Sequence, residues 1–253
     1  MAISHYMTKS AMPQYRSEAD FLKHYNVHDF DVPLLSVDVV ILTLDEQQLK
    51  VLLIKRNDYP HKGSWALPGG FVDKSRDKNL RDTALRKLFD KTGVKTPYLE
   101  QMESVGDASR DPRGWSVTVI YFALIPYLEV HKTHTTSEDV AWVPVDDALQ
   151  MKMAFDHHAL LENTVSRVRS KVLYTLMPGY LIASPFTLSS LQQAYEVILG
   201  REVEKKAFRR RLETADVIEP TGKMDNSSAG RPAALYRLKP TLEGFSFLRQ
   251  LSP

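Results

Sequence analysis

Cysteine is absent from the 253 residues. Its absence excludes disulfides, thiolate metal sites and a cysteine nucleophile, so any metal would have to sit on carboxylates or histidines. Long apolar runs are missing as well. Segments such as Val39-Val40-Ile41-Leu42 fall far short of the roughly 20 residues of a membrane-spanning helix, and no membrane partner is expected. The first residues lack the basic-then-apolar order of a secretory signal, so a cytoplasmic protein is the expectation. Neither an internal repeat nor a low-complexity tract occurs. With 43% hydrophobic and 25% charged residues, the chain has the composition of a globular protein and room for one large domain or two ordinary ones.

Neither sign of charge is in large excess. The net charge of +2 nevertheless hides an asymmetry. From Leu160 onward 14 Lys and Arg stand against 9 Asp and Glu, whereas the preceding residues have 19 against 22. A polyanion would therefore be met by the C-terminal part.

Residues 1–35 read as a polar arm with one short helix near Ser17 to Tyr25, Ser17 being its N-cap, and ending near Pro33. "SVDVVILTL" and "LKVLLIKR" are β-rich runs joined by the polar "DEQQ", the pattern of a hairpin. "SVTVIYFALI" and "VAWVPV" read as further buried strands. Between them, Leu80, Ala84, Leu85, Leu88 and Phe89 recur at helical spacing from about Asn79 to Thr92, with Gly93 as the stop. Beyond Pro144 the texture becomes helical, through "DDALQMKM" and a long helix carrying Leu161, Val165, Val168 and Val172, closed by "MPGY". An α+β fold follows: a mixed sheet between helices over 36–155, a linker helix over 156–178, and a separate C-terminal domain over 179–253.

That last domain has its own grammar. Ser189 and Gln192 fit a capping box, and Leu191, Tyr195 and Ile198 form an apolar stripe up to Gly200. A second helix, from about Glu204 to Ala215, turns Phe208, Leu212 and Ala215 inward. Lys206 and Arg210 then point outward, with Arg209 and Arg211 at the shoulders and Lys205 beside them. Two helices joined by a short Gly-containing turn form a helix-turn-helix, whose second helix can enter a major groove. "VIEPT" and "ALYRL" then bracket a loop containing Lys223 and Arg231, the basic hairpin that a winged helix needs. The alternative is a solvated helix face followed by an ordinary turn. Helix, turn, basic helix and basic hairpin occurring in that order favour double-stranded DNA as the partner.

"LPGGFVDKSRDKNLRDTALRKLFDKTGV" resembles the Nudix box, G-x5-E-x7-R-E-U-x-E-E-x-G-U with U a bulky apolar residue. Gly70, Arg86, Leu88, Gly93 and Val94 match, as do the "LPGGF" entry and the hairpin ending at Lys55-Arg56. The resemblance implies the Nudix fold and a ligand in which a nucleoside diphosphate is linked to another group. Its glutamates hold magnesium, but here those positions carry Arg76, Lys87, Asp90 and Lys91, and Gly70 and Arg86 lie two positions further apart than in the pattern. Cations there repel a divalent ion by several kcal/mol, on the order expected at an effective dielectric near 20. No catalytic residue, metal site or required cofactor is therefore assigned. Fixed cations could instead neutralise a diphosphate, or Lys87 and Lys91 could simply face solvent. Asp73, Asp77, Asp82, Asp90 and Glu103 remain as carboxylates for weak residual metal binding.

"GDASRDPRGWSVTVIYFALI" resembles the segment of Nudix proteins that handle ADP-ribose, and places Arg110, Asp111 and Arg113 before a strand. Such arginines suit diphosphate oxygens, though an Arg-Asp-Pro-Arg turn can also satisfy itself. Trp65 and Phe71 could stack on adenine or belong to the core. His157 and His158 point apart on a helix and are read as structural contacts at the domain junction. The candidate effector site is thus Arg56, Trp65, Gly70, Phe71, Arg76, Arg86, Lys87, Arg110, Asp111 and Arg113.

Taken with "AFDHHALL", "FTLSSLQ", "YEVILGR", "FRRRL" and "GRPAALYRL", nearly the whole chain resembles the Nudix-related transcriptional regulators of bacterial NAD metabolism. That resemblance implies a homodimeric repressor on palindromic operator DNA, released by ADP-ribose as effector. Two other readings stay open: a magnesium-dependent ADP-ribose pyrophosphatase with an appended DNA-binding domain, and a Nudix-like module binding nucleotide and a protein partner.

Overall fold

The structure, a computed structural model, describes residues 15–95, 98–127, 139–226, 232–240, 245–248 and 250–251. It divides into two compact units, one up to Pro33 and one from Leu34 onward. In the first, helix α1 (Glu18–His24) starts at Ser17, whose hydroxyl accepts from the Asp20 amide, and a 3-10 turn follows at Val27–Asp29. Neither element buries a residue. Tyr15, Phe21, Tyr25 and Phe30 stack in sequence, their ring centres 5.1, 5.4 and 5.6 Å apart.

The second unit begins with a seven-stranded mixed sheet. Strands β1 (Leu34–Asp45) and β2 (Gln48–Lys55) pair antiparallel across Glu46-Gln47, both at positive φ, the twist that a two-residue hairpin favours. Two short strands, β3 (Trp65–Ala66) on β2 and β4 (Gly69–Phe71) on β1, lead to helix α2 (Leu80–Thr92). Strand β5 (Tyr98–Asp107) pairs antiparallel with β6 (Ser116–Leu124), and β6 runs parallel to β1. Strand β7 (Val140–Pro144) closes on β2 and runs into a single helical turn, α3 (Val145–Ala148). β5 escaped the sequence reading because it is an edge strand whose half-exposed residues show no apolar run.

Alternate residues of β1 serve opposite layers. Val37, Val39 and Ile41 pack with Ala84 and Leu88 of α2. Val40 and Leu42 pack instead with the long helix α4 (His157–Val172), through Leu160, Leu161, Val165 and Val168. Cover on both faces explains why the strand reads as a continuous apolar run. Phe89, expected inward, is 49% exposed on the far side of α2.

The same apolar cluster continues from α4 into the C-terminal helices α5 (Leu188–Leu199) and α6 (Lys205–Ala215), through Leu191, Tyr195, Ile198, Phe208 and Leu212. The cap of α5 is Thr187 rather than Ser189: its hydroxyl accepts from the Ser190 amide, and the Ser190 hydroxyl accepts from the Thr187 amide. Glu196 Oε1 accepts from Gln192 Nε2 and from the Val203 amide, which fixes the turn between the two helices. A three-stranded sheet completes the unit, β8 (Phe186–Thr187) on β10 (Ala233–Leu238) on β9 (Ile218–Asp225). This is the winged helix-turn-helix expected from the sequence, with β8 as an additional strand too short to leave a pattern.

The two extra positions between Gly70 and Arg86 form a closed turn. Asp77 accepts from the Asp73 amide at 2.9 Å and the Thr83 hydroxyl at 2.8 Å, and its carboxylate is gripped by Arg86 through Nε at 2.8 Å and Nη2 at 2.5 Å. The Arg86 guanidinium holds the Asp77 carboxyl well below its ordinary value of 3.8. Asp77→Asn leaves Arg86 without its anion and is expected to destabilise the protein by about 2 kcal/mol at neutral pH. A depressed folded pKa stabilises above the unfolded value, and that stabilisation is lost progressively as the pH falls from there through the folded value. Urea unfolding of the two proteins from pH 7 downward should show their difference shrinking below about pH 4.

Candidate nucleotide pocket and nucleic-acid interface

Where β1, β4 and α2 meet, a pocket of about 340 Å³ opens between the sheet and the start of α4. Its floor is the Gly69-Gly70 turn. A side chain on Gly69 would begin 1.9 Å from Asp38 Oδ1, and Gly70 has φ 139° with Lys87 Nζ only 2.8 Å from where its Cβ would lie. Both glycines are therefore required for the backbone to pass between a buried carboxylate and a lysine. Burial, and then the neighbouring Arg86, lower the pKa of Lys87.

The walls bring together seven of the expected residues: Arg56, Gly70, Phe71, Lys87, Arg110, Asp111 and Arg113. Arg113 grips Asp111 through Nε at 3.0 Å and Nη2 at 2.7 Å, and this pairing holds the Asp111 carboxyl below its ordinary value. Its guanidinium also lies 4.9 Å from the Phe71 ring centre. Arg56 donates from Nε to the Pro60 carbonyl at 2.8 Å and sits 4.7 Å over the Phe155 ring. Burial lowers its pKa, with a smaller part from Arg113. Arg110 pairs with Asp156.

Three expected residues lie elsewhere. Trp65 is half-buried against the main core, its carbonyl accepts from the Ala154 amide, and it does not line the pocket. Arg86 is engaged by Asp77, as described above. Arg76 is exposed on the loop before α2 and does not line the pocket.

The pocket also contains residues that sequence reasoning passed over. Asp38 is 5% exposed, its Oδ2 accepting from the Thr118 hydroxyl at 2.7 Å. The signal was a lone carboxylate between Val37 and Val39 in an otherwise apolar strand. His157, read from the sequence as a structural contact at the domain junction, is part of the pocket as well. Its Nδ1 accepts from the Leu67 amide at 2.9 Å, which leaves the proton on Nε2, 3.8 Å from Asp38 Oδ1. Burial lowers its pKa and keeps the ring neutral. Phe155 completes the wall, and nothing in the local sequence distinguished it from a core residue.

At the opposite end of the second unit, α6 presents a basic face. Glu204 caps it by accepting from the Lys206 and Ala207 amides, while Phe208 and Leu212 anchor its inner side at 1% exposure. Lys205, Lys206, Arg209 and Arg210 are exposed, and among the described residues none of them forms an ion pair. Lys223 is exposed on β9. Arg211 departs from the expectation: it turns inward, donates from Nη2 to the Leu173 carbonyl at 2.8 Å, and lies 3.8 Å from the Phe247 ring centre. Helical spacing puts it on the shoulder of the helix, and the C-terminal segment covers that shoulder. Arg231 lies outside the described residues.

The pocket and the basic helix lie in parts of the chain that match separate family models. A NUDIX domain matches residues 33–164, and an NrtR DNA-binding winged helix domain matches residues 178–238. The ADPR responsive transcriptional repressor NtrR of Acinetobacter baylyi is 48% identical over 237 residues, covering 94% of either chain. Shewanella oneidensis NrtR complexed with a 27mer DNA is 49% identical, with a TM-score of 0.83 over 86% of this chain and 99% of that one. The NUDIX domain of Shewanella oneidensis NrtR complexed with ADP ribose is 48% identical, with a TM-score of 0.56 over 60% of this chain and 99% of that one. The chain therefore belongs to the NrtR family, in which a NUDIX domain is joined to a DNA-binding winged helix domain.

Proposed function

We propose that the protein is an ADP-ribose-responsive transcriptional repressor of NAD-metabolism genes, acting in the cytoplasm as a homodimer on palindromic DNA. The observation that carries this reading is the pairing, in one compact unit, of a cation-lined pocket on a Gly-Gly turn with an open basic helix. Lys87 stands where a Nudix enzyme has a glutamate, and its ammonium lies against Gly70 inside the pocket. A cation there favours a diphosphate and opposes a magnesium ion, which supports binding over cutting. On this reading Arg56, Lys87 and Arg113 meet the nucleotide, Arg110 binds it after exchanging its partner, and Lys205, Lys206, Arg209, Arg210 and Lys223 meet DNA. The relative named as an ADPR responsive repressor supports the same assignment.

Allostery follows if ADP-ribose binds better to a form whose two helices are wrongly spaced for successive half-sites. Titrating ADP-ribose, with magnesium present, into a protein–operator complex is expected to release the DNA with no AMP formed. Turnover to AMP at about 1 s⁻¹, within the ordinary enzyme range, would instead identify a pyrophosphatase.

The two adjacent arginines of α6 should separate DNA reading from stability. Arg210→Ala is expected to weaken operator binding by about tenfold to a hundredfold and leave thermal unfolding unchanged. Arg211→Ala removes the bond to Leu173 and the contact with Phe247, and is expected to destabilise the fold by about 2 kcal/mol. Mobility shifts and thermal melts on the same preparations distinguish the two roles.

A further inference from the structure

Arg110 is fully engaged inside the protein. Its side chain is 5% exposed, and it donates from Nε and Nη2 to the two oxygens of Asp156 at 2.9 Å each, while Nη1 lies 3.3 Å from Ser116 Oγ. This two-bond pairing is also how a guanidinium holds a phosphate. Asp156 precedes α4 as its N-cap, yet its side chain caps no backbone amide. Its carboxylate is thus placed for Arg110 and not for the helix. The preceding Phe155 has a left-handed φ of 52°, a backbone that a bulky residue adopts only when its surroundings hold it there. Its ring is held beneath Arg56 and lies 5.9 Å from the Arg113 guanidinium. The start of α4 is therefore tied to the cations of the pocket.

Beyond its last turn, the same helix is bonded to both helices of the DNA-binding part. The Leu173 carbonyl accepts from Arg211 of α6 at 2.8 Å, and the Thr175 carbonyl accepts from the Tyr195 hydroxyl of α5 at 2.5 Å. Arg169 Nε donates to the Ile198 carbonyl at 3.2 Å. In between, Leu160, Leu161, Val165, Val168 and Val172 are all at most 2% exposed, so the helix moves with its packing as a unit.

We propose that Asp156 is a built-in stand-in for a phosphate of the nucleotide. It occupies Arg110 in the DNA-competent form, and a bound diphosphate takes Arg110 over, freeing the start of α4 and shifting α5 and α6 with it. The inference rests on the reading of the pocket as an ADP-ribose site. One guanidinium fork cannot serve both anions in this way, so nucleotide and the Asp156 pairing exclude each other. By linkage, the nucleotide weakens DNA binding by the factor by which DNA weakens nucleotide binding.

The test uses the full-length chain, ADP-ribose, and the duplex that the wild-type chain selects from a random library. In calorimetry, Asp156→Asn is expected to bind ADP-ribose about five to ten times more tightly. Without nucleotide it is expected to bind the duplex several times more weakly. This second sign separates release from simple charge removal, because losing a negative charge would by itself favour DNA. Asp156→Glu keeps the anion and is expected to stay near wild type in both measurements. Unchanged or weaker nucleotide binding by Asp156→Asn, duplex binding as tight as wild type, or Asp156→Glu behaving like Asp156→Asn would each overturn the proposal. If thermal unfolding shows that the Asn variant does not fold, Asp156→Ser carries the same test. A wild-type chain that binds no ADP-ribose would instead overturn the reading of the pocket.

Discussion

The burial of one helix between two different partners governs the rest of the second unit. Along α4, Leu160, Leu161, Val165, Val168 and Val172 face a single apolar cluster that includes Val40, Leu42 and Phe122 of the sheet and Tyr195 and Phe208 of the winged helix. Interiors packed at crystal-like density transmit displacements instead of absorbing them. The sheet that forms the pocket and the helix pair that carries the basic face thus share one core. The pocket lies at one end of that helix, and the inner face of α6 is bonded just beyond the other.

Within the pocket the charges are arranged as pairs, which determines what a ligand must do. Asp111 holds Arg113 and Asp156 holds Arg110, while Arg56 donates to a backbone carbonyl. A diphosphate entering such a site has to exchange anion for anion at a guanidinium, an exchange nearly isoenergetic in itself and so easily biased by packing elsewhere. A magnesium-dependent hydrolase needs clustered carboxylates around its metal, and Lys87 beside Gly70 adds a fixed positive charge where that cluster would form. The turn and helix of the Nudix box are kept, while Arg76, Lys87 and Lys91 put positive charge at three of its four glutamate positions.

Much of this was legible in the chain itself. Continuous β-rich apolar runs marked β1, β2, β6 and β7, helical spacing marked α2, α4, α5 and α6, and Gly93 and Gly200 end two of those helices as expected. The order of basic helix and hairpin announced a winged helix, because capping, amphipathicity and turn chemistry are local and leave a local record. β5 left none, since an edge strand need not be apolar on either face. Asp38 and His157 are 119 positions apart in sequence and became neighbours only when α4 packed across the sheet.

What the sequence determined by itself is therefore the elements, their order, and the loss of acidic ligands from the Nudix box, all of which depend on residue type and spacing. Which arginines remain available was decided only in three dimensions. Arg86, Arg110 and Arg211 look equivalent to the exposed Arg209 and Arg210 along the chain, yet each of the first three is bonded internally, to Asp77, to Asp156 and to the Leu173 carbonyl. A charged side chain takes its role from the partner that folding brings within about 3 Å, and for Arg110 and Arg211 that partner is dozens of residues away.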